Sequence, residues 1–413
     1  MDKISEHKAA FVLAIDFGTS RTKAAVWDSE NNRIEIFQIG EEEKKYIPSI
    51  FHVDGDGDIT IGEEANDLLV HDPLGALDNV KLHLDEILRA ANAEKVEAVT
   101  LLSILLKHIF RIFDLKYLKN KDAVNIHLVL SLPSRWQYED IYTDAVLATG
   151  KHFDQVTFIK EPIAAAHFWK RFENNNFIGH LIVIDYGGGT IDWACLEIEE
   201  LEIKNIAECP PGGLNGAGLK VDKRIFNLLE QKIKQLDEEK SKELLIYLKE
   251  NKLLILNYIR KLKERFSSNT QKPLTFIIAG QKISFDPSIF QDALLIGDDQ
   301  RNIERPFAYI LKAHKKIQQP LSCILVGGGS KVAGFRNYFE SKLNELSQEE
   351  NIDIELLQSK ELDYATVLGA IYSYLDQHGV DFDKREKLDD KTSKVNLDLS
   401  ASSTKNFFDP NKI

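Results

Sequence analysis

Two stretches of this chain carry the same arrangement of residue types. Leu13-Ala14-Ile15-Asp16-Phe17-Gly18-Thr19-Ser20 and Ile182-Val183-Ile184-Asp185-Tyr186-Gly187-Gly188-Gly189-Thr190 are each an apolar run that ends in Asp and then turns on Gly and Thr. An unbroken apolar run of this length is a buried-type strand, so each Asp is fixed at a strand end. The turn that follows offers backbone N–H groups and hydroxyls, which can donate to phosphate oxygens. A carboxylate beside such a turn can hold Mg2+, partly through water, because Mg2+ gives up its waters reluctantly. Asp16 and Asp185 are therefore candidate metal ligands. Gly18, Thr19, Ser20, Gly187, Gly188, Gly189 and Thr190 are candidate phosphate binders. Two such turns facing each other would grip a polyphosphate from both sides. One Asp-x-Gly triplet is a common turn, but strand termination alone does not explain why it occurs twice on matching strands.

A third glycine run, Gly327-Gly328-Gly329-Ser330, follows the apolar stretch Cys323 to Val326. Glycine lets a backbone lie flush against a flat ligand, although a glycine-rich strand-to-helix turn fits the same residues. The chain has no Gly-x-x-x-x-Gly-Lys-Ser/Thr loop and no Gly-x-Gly-x-x-Gly fingerprint, which excludes the P-loop and dinucleotide signatures. Asp54-Gly55-Asp56-Gly57-Asp58 resembles the start of a calcium loop, but Ala65 stands where its bidentate Glu belongs. A tight hairpin turn accounts for it.

These residues need elements to position them. Phe11 to Ile15, Thr22 to Trp27 and Arg33 to Ile39 read as a β-meander around the first turn. Ser49 to Val53 and Ile59 to Ile61 read as a hairpin. Three- and four-residue apolar spacing predicts a helix from Val96 to Leu115. Ile126 to Leu132 is a strand, Asp140 to Thr149 a helix, and Val156 to Ile159 extended. Glu161-Pro162 opens another helix, with Pro where its missing N–H costs nothing. A second meander runs from Leu181 through Ile198, and Gly212 to Gly218 reads as a flexible loop. Helices are expected at Lys223 to Leu236, Ser241 to Phe266, Pro306 to Lys316, Gly334 to Leu346 and Tyr364 to Gln377, with a hairpin at Leu274 to Phe285. The whole is a duplicated α/β architecture. The expected bounds are 1–180 for one lobe, with 362–380 returning to it and an insert at about 40–120. The second lobe takes 181–361, with a helical insert at about 223–296. Residues 381–413 turn polar and read as a tail or linker, in which Val395 to Leu399 alternates like a strand and Phe407-Phe408 could anchor on a partner.

The chain has 413 residues and a formal net charge of -13. That length favours two or more domains, and the charge argues against nucleic acid or an anionic membrane as partner. The most apolar window, Val99 to Leu106, falls well short of the ~20 residues that span a bilayer. Cys195, Cys209 and Cys323 form no Cys-x-x-Cys pair, so free thiols are expected, in a cytoplasmic protein without a secretory leader.

Taken together in this order, the two Asp-Gly turns, Glu161-Pro162-Ile163-Ala164-Ala165-Ala166, Val326 to Ser330 and Asp363-Tyr364-Ala365 with Gly369-Ala370 carry a resemblance. From about residue 11 to 378 the chain resembles the nucleotide-binding domain of heat-shock protein 70 chaperones, within the actin–sugar-kinase ATPase superfamily. The resemblance implies a duplicated actin-like (ribonuclease-H-like) α/β fold, with two lobes around a central nucleotide cleft. It implies a slow ATP hydrolase working with Mg2+ and releasing ADP. Asp16 and Asp185 would surround the metal, and Thr19, Thr190 and the loop backbones would bind phosphate. Glu161 and Asp192 would position water, and Lys81, in Asn79-Val80-Lys81-Leu82, matches the family's catalytic lysine. Asp363 opens the last connecting helix beside the nucleotide.

The chain also departs from the family pattern. Lys331 stands where an arginine usually stacks on adenine, and an ammonium has no planar surface. The helix that flanks adenine carries Lys263 and Ser267, in a shifted pattern. Full chaperones continue into a peptide-binding domain, whereas this sequence reaches only its polar tail. The expected function is thus a chaperone-type ATPase lacking the peptide-binding domain, with a partner protein still to be identified. An actin-like polymerising ATPase and a nucleotide-sensing scaffold with little turnover are the competing expectations.

Overall fold

The structure, a computed structural model, describes residues 9–380 apart from 42–43, 90–94, 120, 122–123, 201, 266–272, 287, 290–292, 294–299, 333 and 362. The anticipated strand at Val395 to Leu399 and the Phe407-Phe408 pair lie outside the described residues, as does Ser267.

The two meanders fold into two sheets of the same design. In the first, the order is Arg33–Ile36, Arg21–Asp28, Phe11–Phe17, Ile126–Leu132, Gln155–Lys160, with Ile47–Pro48 also paired to Arg21–Asp28. In the second, it is Ile203–Asn205, Thr190–Ile198, Gly179–Tyr186, Leu321–Val326, Ile354–Leu356, with Gly212–Asn215 also paired to Thr190–Ile198. Each Asp-bearing strand is antiparallel to its hairpin partner and parallel to the strand on its other side. The register sets Asp16 opposite Lys23, and Asp185 opposite Asp192. This is the duplicated two-lobe α/β fold of actin-like ATPases. Every residue of Phe11–Phe17 is buried, as expected of a strand covered on both faces.

Among the described residues, three large apolar clusters and a small one around Ile50, Ala65 and Leu69 hold the fold. One packs the first sheet against the helix Lys95–Phe113, and one packs the second sheet against the helical insert and the flanking helices. The third lies between the sheets and contains the connecting helices Glu161–Phe168 and Ala365–Gln377. There Val12, Ala14 and Val129 of one sheet share a core with Val183, Ala194 and Ile324 of the other. Small residues dominate the first helix because two sheets and a second helix close on it. Gly369 marks the crossing point, since a Cβ there would overlap the Ala164 carbonyl.

Several elements differ from expectation. Gly212 to Asn215 is a strand on Thr190–Trp193, not a flexible loop. Its glycines lack a strand signature, and tertiary pairing supplies what propensity does not. The following helix starts at Ala217, and the long insert helix divides at Asn251 into Glu238–Glu250 and Lys252–Arg265. The helices Gly62–Leu68 and Val80–Arg89 were not anticipated. Cys195, Cys209 and Cys323 are buried free thiols. Among the described residues no helix is long and apolar enough to cross a membrane.

One buried histidine gives this core a pH limit. His127 shares a hydrogen bond of 2.8 Å with Thr157 Oγ1, and its ring lies 4.6 Å from that of Tyr374. Burial, reinforced by His378, pushes its pKa down from 6.5 to about 4. A base with a lowered folded pKa contributes stability that is complete above its unfolded value and is lost as pH falls through that value towards the folded one. Between pH 6.5 and 4 the protein should therefore lose ~2 kcal/mol through this group. Chemical denaturation across that range should show a shallower pH dependence in His127→Gln, and parallel curves would rule the assignment out.

Candidate nucleotide site

Both Asp-Gly turns open onto one cavity of about 310 Å3 between the sheets. The turns touch. A Cβ on Gly188 would sit 2.7 Å from Ser20 Oγ, and one on Gly189 would overlap Thr19 Oγ1. Glycine is required because the opposing hydroxyl already occupies that space. The carbonyls of the second turn are tied down from behind. Gly216 N donates to Gly189 O at 2.5 Å, and Leu219 N donates to Gly188 O at 2.7 Å.

Asp16, Glu161, Asp185 and Asp192 are all buried around this space, with the Lys81 side chain among them. Lys81 Nζ forms a short ion pair with Glu161 Oε1. Burial alone would push the Lys81 pKa down, but Glu161, then Asp16, outweigh it and hold the pKa above 10.5. The carboxylates repel one another. Burial, then the neighbouring Asp192 and Asp16, push Asp185 up to about 7. Glu161 is pushed up to about 8 by burial, against the pull of Lys81. Asp192 is raised chiefly by burial. Lys81 and Lys23 thus face four buried carboxylates, an excess of negative charge that a further cation would relieve.

The individual partners are consistent with that picture. Asp16 Oδ1 accepts from Ser131 Oγ at 3.0 Å, and Oδ2 lies 3.7 Å from Lys23 Nζ. Thr366 Oγ1 donates to Asp185 Oδ2 at 3.5 Å. Asp192 Oδ1 accepts from Ser134 N at 2.6 Å, while Oδ2 is buried with no hydrogen-bond partner. Among the described residues no three His, Cys, Asp or Glu side chains form a metal-binding group. That does not conflict with Mg2+, which is commonly held by one or two carboxylates with waters and substrate phosphates. Asp16 and Asp185, both buried at the cleft wall, fit such a role.

The third glycine run reaches the same cavity. Gly327, Gly328 and Gly329 line it, with Lys331 and Asp363. Gly327 has φ +85 and sits so close to Asp185 and Tyr186 that a Cβ would overlap Asp185 Oδ1. Lys331 Nζ pairs with Asp363 Oδ2 at 2.6 Å. Lys263 lines the opposite wall, pairs with Asp222 at 2.6 Å and donates to Gly218 O at 2.9 Å. Of the anticipated residues, Gly18, Thr19, Ser20, Lys81, Glu161, Gly187, Gly188 and Thr190 also line the cavity. Gly189, Asp192 and Ser330 are not on its wall. Asp192 lies one layer behind, and Ser330 Oγ turns back to Gly327 O at 2.6 Å.

Sequence reasoning missed Arg21, Lys23, Gly218, Arg260, Val332 and Thr366, which also line the cavity. Hairpin register offered a signal for Lys23, which falls opposite Asp16 across the first turn. Nothing local announces Arg260, which arrives from a distant helix.

No protein-family model matches the chain. It is 27% identical over 236 residues to the chaperone protein DnaK of Thermosipho melanesiensis, covering 55% of this chain and 37% of that protein. The corresponding proteins of Thermotoga petrophila and Thermotoga maritima are 25% identical over 235 residues, with the same coverage. The chain thus matches little more than a third of the length of these relatives. The paired sheets, the touching Asp-Gly turns and the similarity to these relatives together support a nucleotide-binding domain of the heat-shock protein 70 type.

Proposed function

We propose that the chain binds Mg-ATP in this cleft and hydrolyses it slowly to ADP and phosphate, and that nucleotide-dependent closure of the two lobes acts on a partner protein. The reading is carried by the convergence of two touching Asp-Gly turns, one from each sheet, on a cavity that also holds a buried lysine–glutamate pair. Residues 1–180 with 362–380 form one lobe, and 181–361 the other. On this reading the protein works in the cytoplasm, without nucleic acid or membrane.

The hydroxyls of Thr19, Ser20 and Thr190 and the backbone N–H groups of the turns bind the phosphates. Asp16 and Asp185 would hold Mg2+, which would supply charge neutralisation at the phosphate oxygens. The Lys81 ammonium faces the terminal phosphoryl group and stabilises its charge, while Glu161 fixes where that ammonium points. Asp192, one layer behind the wall with one oxygen on the Ser134 N–H, acts on the chemistry through its charge beside Lys81. As the water oxygen bonds to the γ-phosphorus, the bond to the β–γ bridging oxygen breaks and ADP leaves. Lys331 and Lys263 flank the outer part of the nucleotide. Both are already paired with carboxylates, so base contacts contribute less than phosphate contacts.

Single-turnover hydrolysis tests the reading directly. Thr190→Val and Asp16→Asn should each slow the wild-type rate by at least ~100-fold, the loss typical of removing one preorganised donor. Wild type no faster than these variants would refute hydrolysis. Light scattering with ATP would in turn expose a polymerising protein.

A further inference from the structure

Lys81 is the second residue of the helix Val80–Arg89, and its partner Glu161 belongs to the first connecting helix. The apolar side of that short helix packs in the core of the first half through Val80 and Leu84, and part of its polar support comes from the other half of the chain. Arg260, on the insert helix Lys252–Arg265, donates through Nη1 to Asp78 Oδ1 at 3.1 Å and through Nη2 to Asp78 Oδ2 at 2.9 Å. Nη2 also reaches Asn79 Oδ1 at 3.1 Å. The Arg260 and Asp78 side chains are 12% and 8% exposed. A bidentate guanidinium–carboxylate pair fixes angle as well as distance, and in a mostly buried setting it is screened little by solvent.

What Arg260 grips is the start of the Lys81 helix. Asn79 has φ 59, a left-handed conformation that Asn tolerates. Its N–H and Nδ2 both donate to Asp78, at 2.8 and 3.0 Å. Its carbonyl accepts from Leu82 N and His83 N, closing the first turn. Four residues after Lys81, and so on the same face, the buried Asp85 accepts from Asn215 Nδ2 at 2.7 Å, while Tyr138 Oη and Arg89 Nε of the first half donate to its other oxygen. Asn215 also belongs to the second sheet. One turn before Arg260, Asn257 Nδ2 donates to Asn66 Oδ1 at 2.7 Å.

We infer that Arg260 is a positioning residue for Lys81: by clamping Asp78 and Asn79 it makes the placement of the lysine conditional on the two halves being closed. The inference rests on the hydrolysis reading above and deepens it, because it names the contact through which closure reaches the chemistry. When the halves part, Arg260 and Asn215 leave together, and the Lys81 helix loses support at its start and along one face. Nucleotide can then still bind to the turns without being turned over.

The test uses the full chain and Asp78→Asn, which keeps shape but removes the charge that Arg260 grips. Single-turnover hydrolysis should slow on the order of tenfold to a hundredfold, the scale of a small misplacement of a reacting group. ATP affinity, measured by isothermal titration, should hold to within about twofold, the signature of a loss confined to the chemical step. Lys81 should also become more reactive towards an acylating reagent in nucleotide-free protein, read by peptide mass spectrometry. Asp78→Glu should restore part of both properties. If Asp78→Asn does not fold, Arg260→Lys carries the acylation comparison alone, since the substitution keeps the charge and loses the fork but Arg260 also lines the cavity. Unchanged Lys81 acylation, or a rate loss matched by an equal loss of affinity, would overturn the inference. Failure of wild type to hydrolyse ATP would instead strike the function, leaving the acylation comparison to decide the clamp.

Discussion

Lys81→Ala is expected to reduce single-turnover ATP hydrolysis by roughly a thousandfold, because on the proposed mechanism it removes the cation that stabilises the transferred phosphoryl group. It should also destabilise the protein. Lys81 is 2% exposed and is paired with Glu161, and breaking one side of a buried ion pair costs ~3–5 kcal/mol. The sign of the pH dependence separates these effects. The Glu161 pKa, already raised from 4.5 to about 8 by burial, rises further without Lys81. An acid whose folded pKa lies above its unfolded value contributes stability below the unfolded value and loses it as pH rises through the folded one. Wild type reaches the end of that loss near pH 8 and Lys81→Ala only above it, so the gap between them should be smaller at about pH 7 than at about pH 9.5. Adding Glu161→Gln should recover much of the stability at about pH 9.5 and none of the turnover. Urea denaturation at the two pH values checks the first claim. A variant equally destabilised at both would show that Glu161 is not the group left uncompensated.

The second large effect lies away from the cleft. Gly369→Val should unfold the protein or lower its stability by at least ~3 kcal/mol, because there is no room to repack against a backbone. A Cβ at Gly369 would overlap the carbonyl oxygen and carbon of Ala164 and come within 3.2 Å of Phe168 N. The two connecting helices cross there; they also carry the His167–Asp376 pair, at 2.7 Å, and Arg171, just past the first of them, pairs with Asp376 at 2.6 Å. Losing the crossing disrupts the core shared by the two sheets, so both halves should unfold together. Gly369→Val with a wild-type urea midpoint would mean that the helices can separate at no cost.

The strands were legible because they are buried on both faces, and such strands are written as unbroken apolar runs. Phe11–Phe17, Ile126–Leu132 and the core of Gly179–Tyr186 fall where those runs fall. Gly212–Asn215 was not legible, because its register on Thr190–Trp193 is set by the partner strand and not by its own side chains. Val80–Arg89 was missed for a related reason. Its face buries Lys81 and Asp85 as well as Val80 and Leu84, so the charged residues that fix it in place hide its apolar period. At the site, residues within a turn were readable, since Asp, Gly and Thr at adjacent positions state their own chemistry. Lys23 could have been found from hairpin register. Arg260 could not, because its role depends on Asp78, far away in sequence.

By itself, the sequence determined that this chain has two copies of a strand ending in Asp and a glycine turn, and that such turns suit a metal–phosphate complex. Local residue order carries that information, because a turn is built from neighbours. Only the tertiary structure decided that the two turns touch, at Thr19 against Gly189 and Ser20 against Gly188. It alone decided that Asp192 sits behind the cleft wall, and that a helix of the second half holds the start of the helix that bears Lys81. Those relations depend on how two sheets pack across a shared pair of helices, and no local pattern encodes the distance between residues brought together in that way.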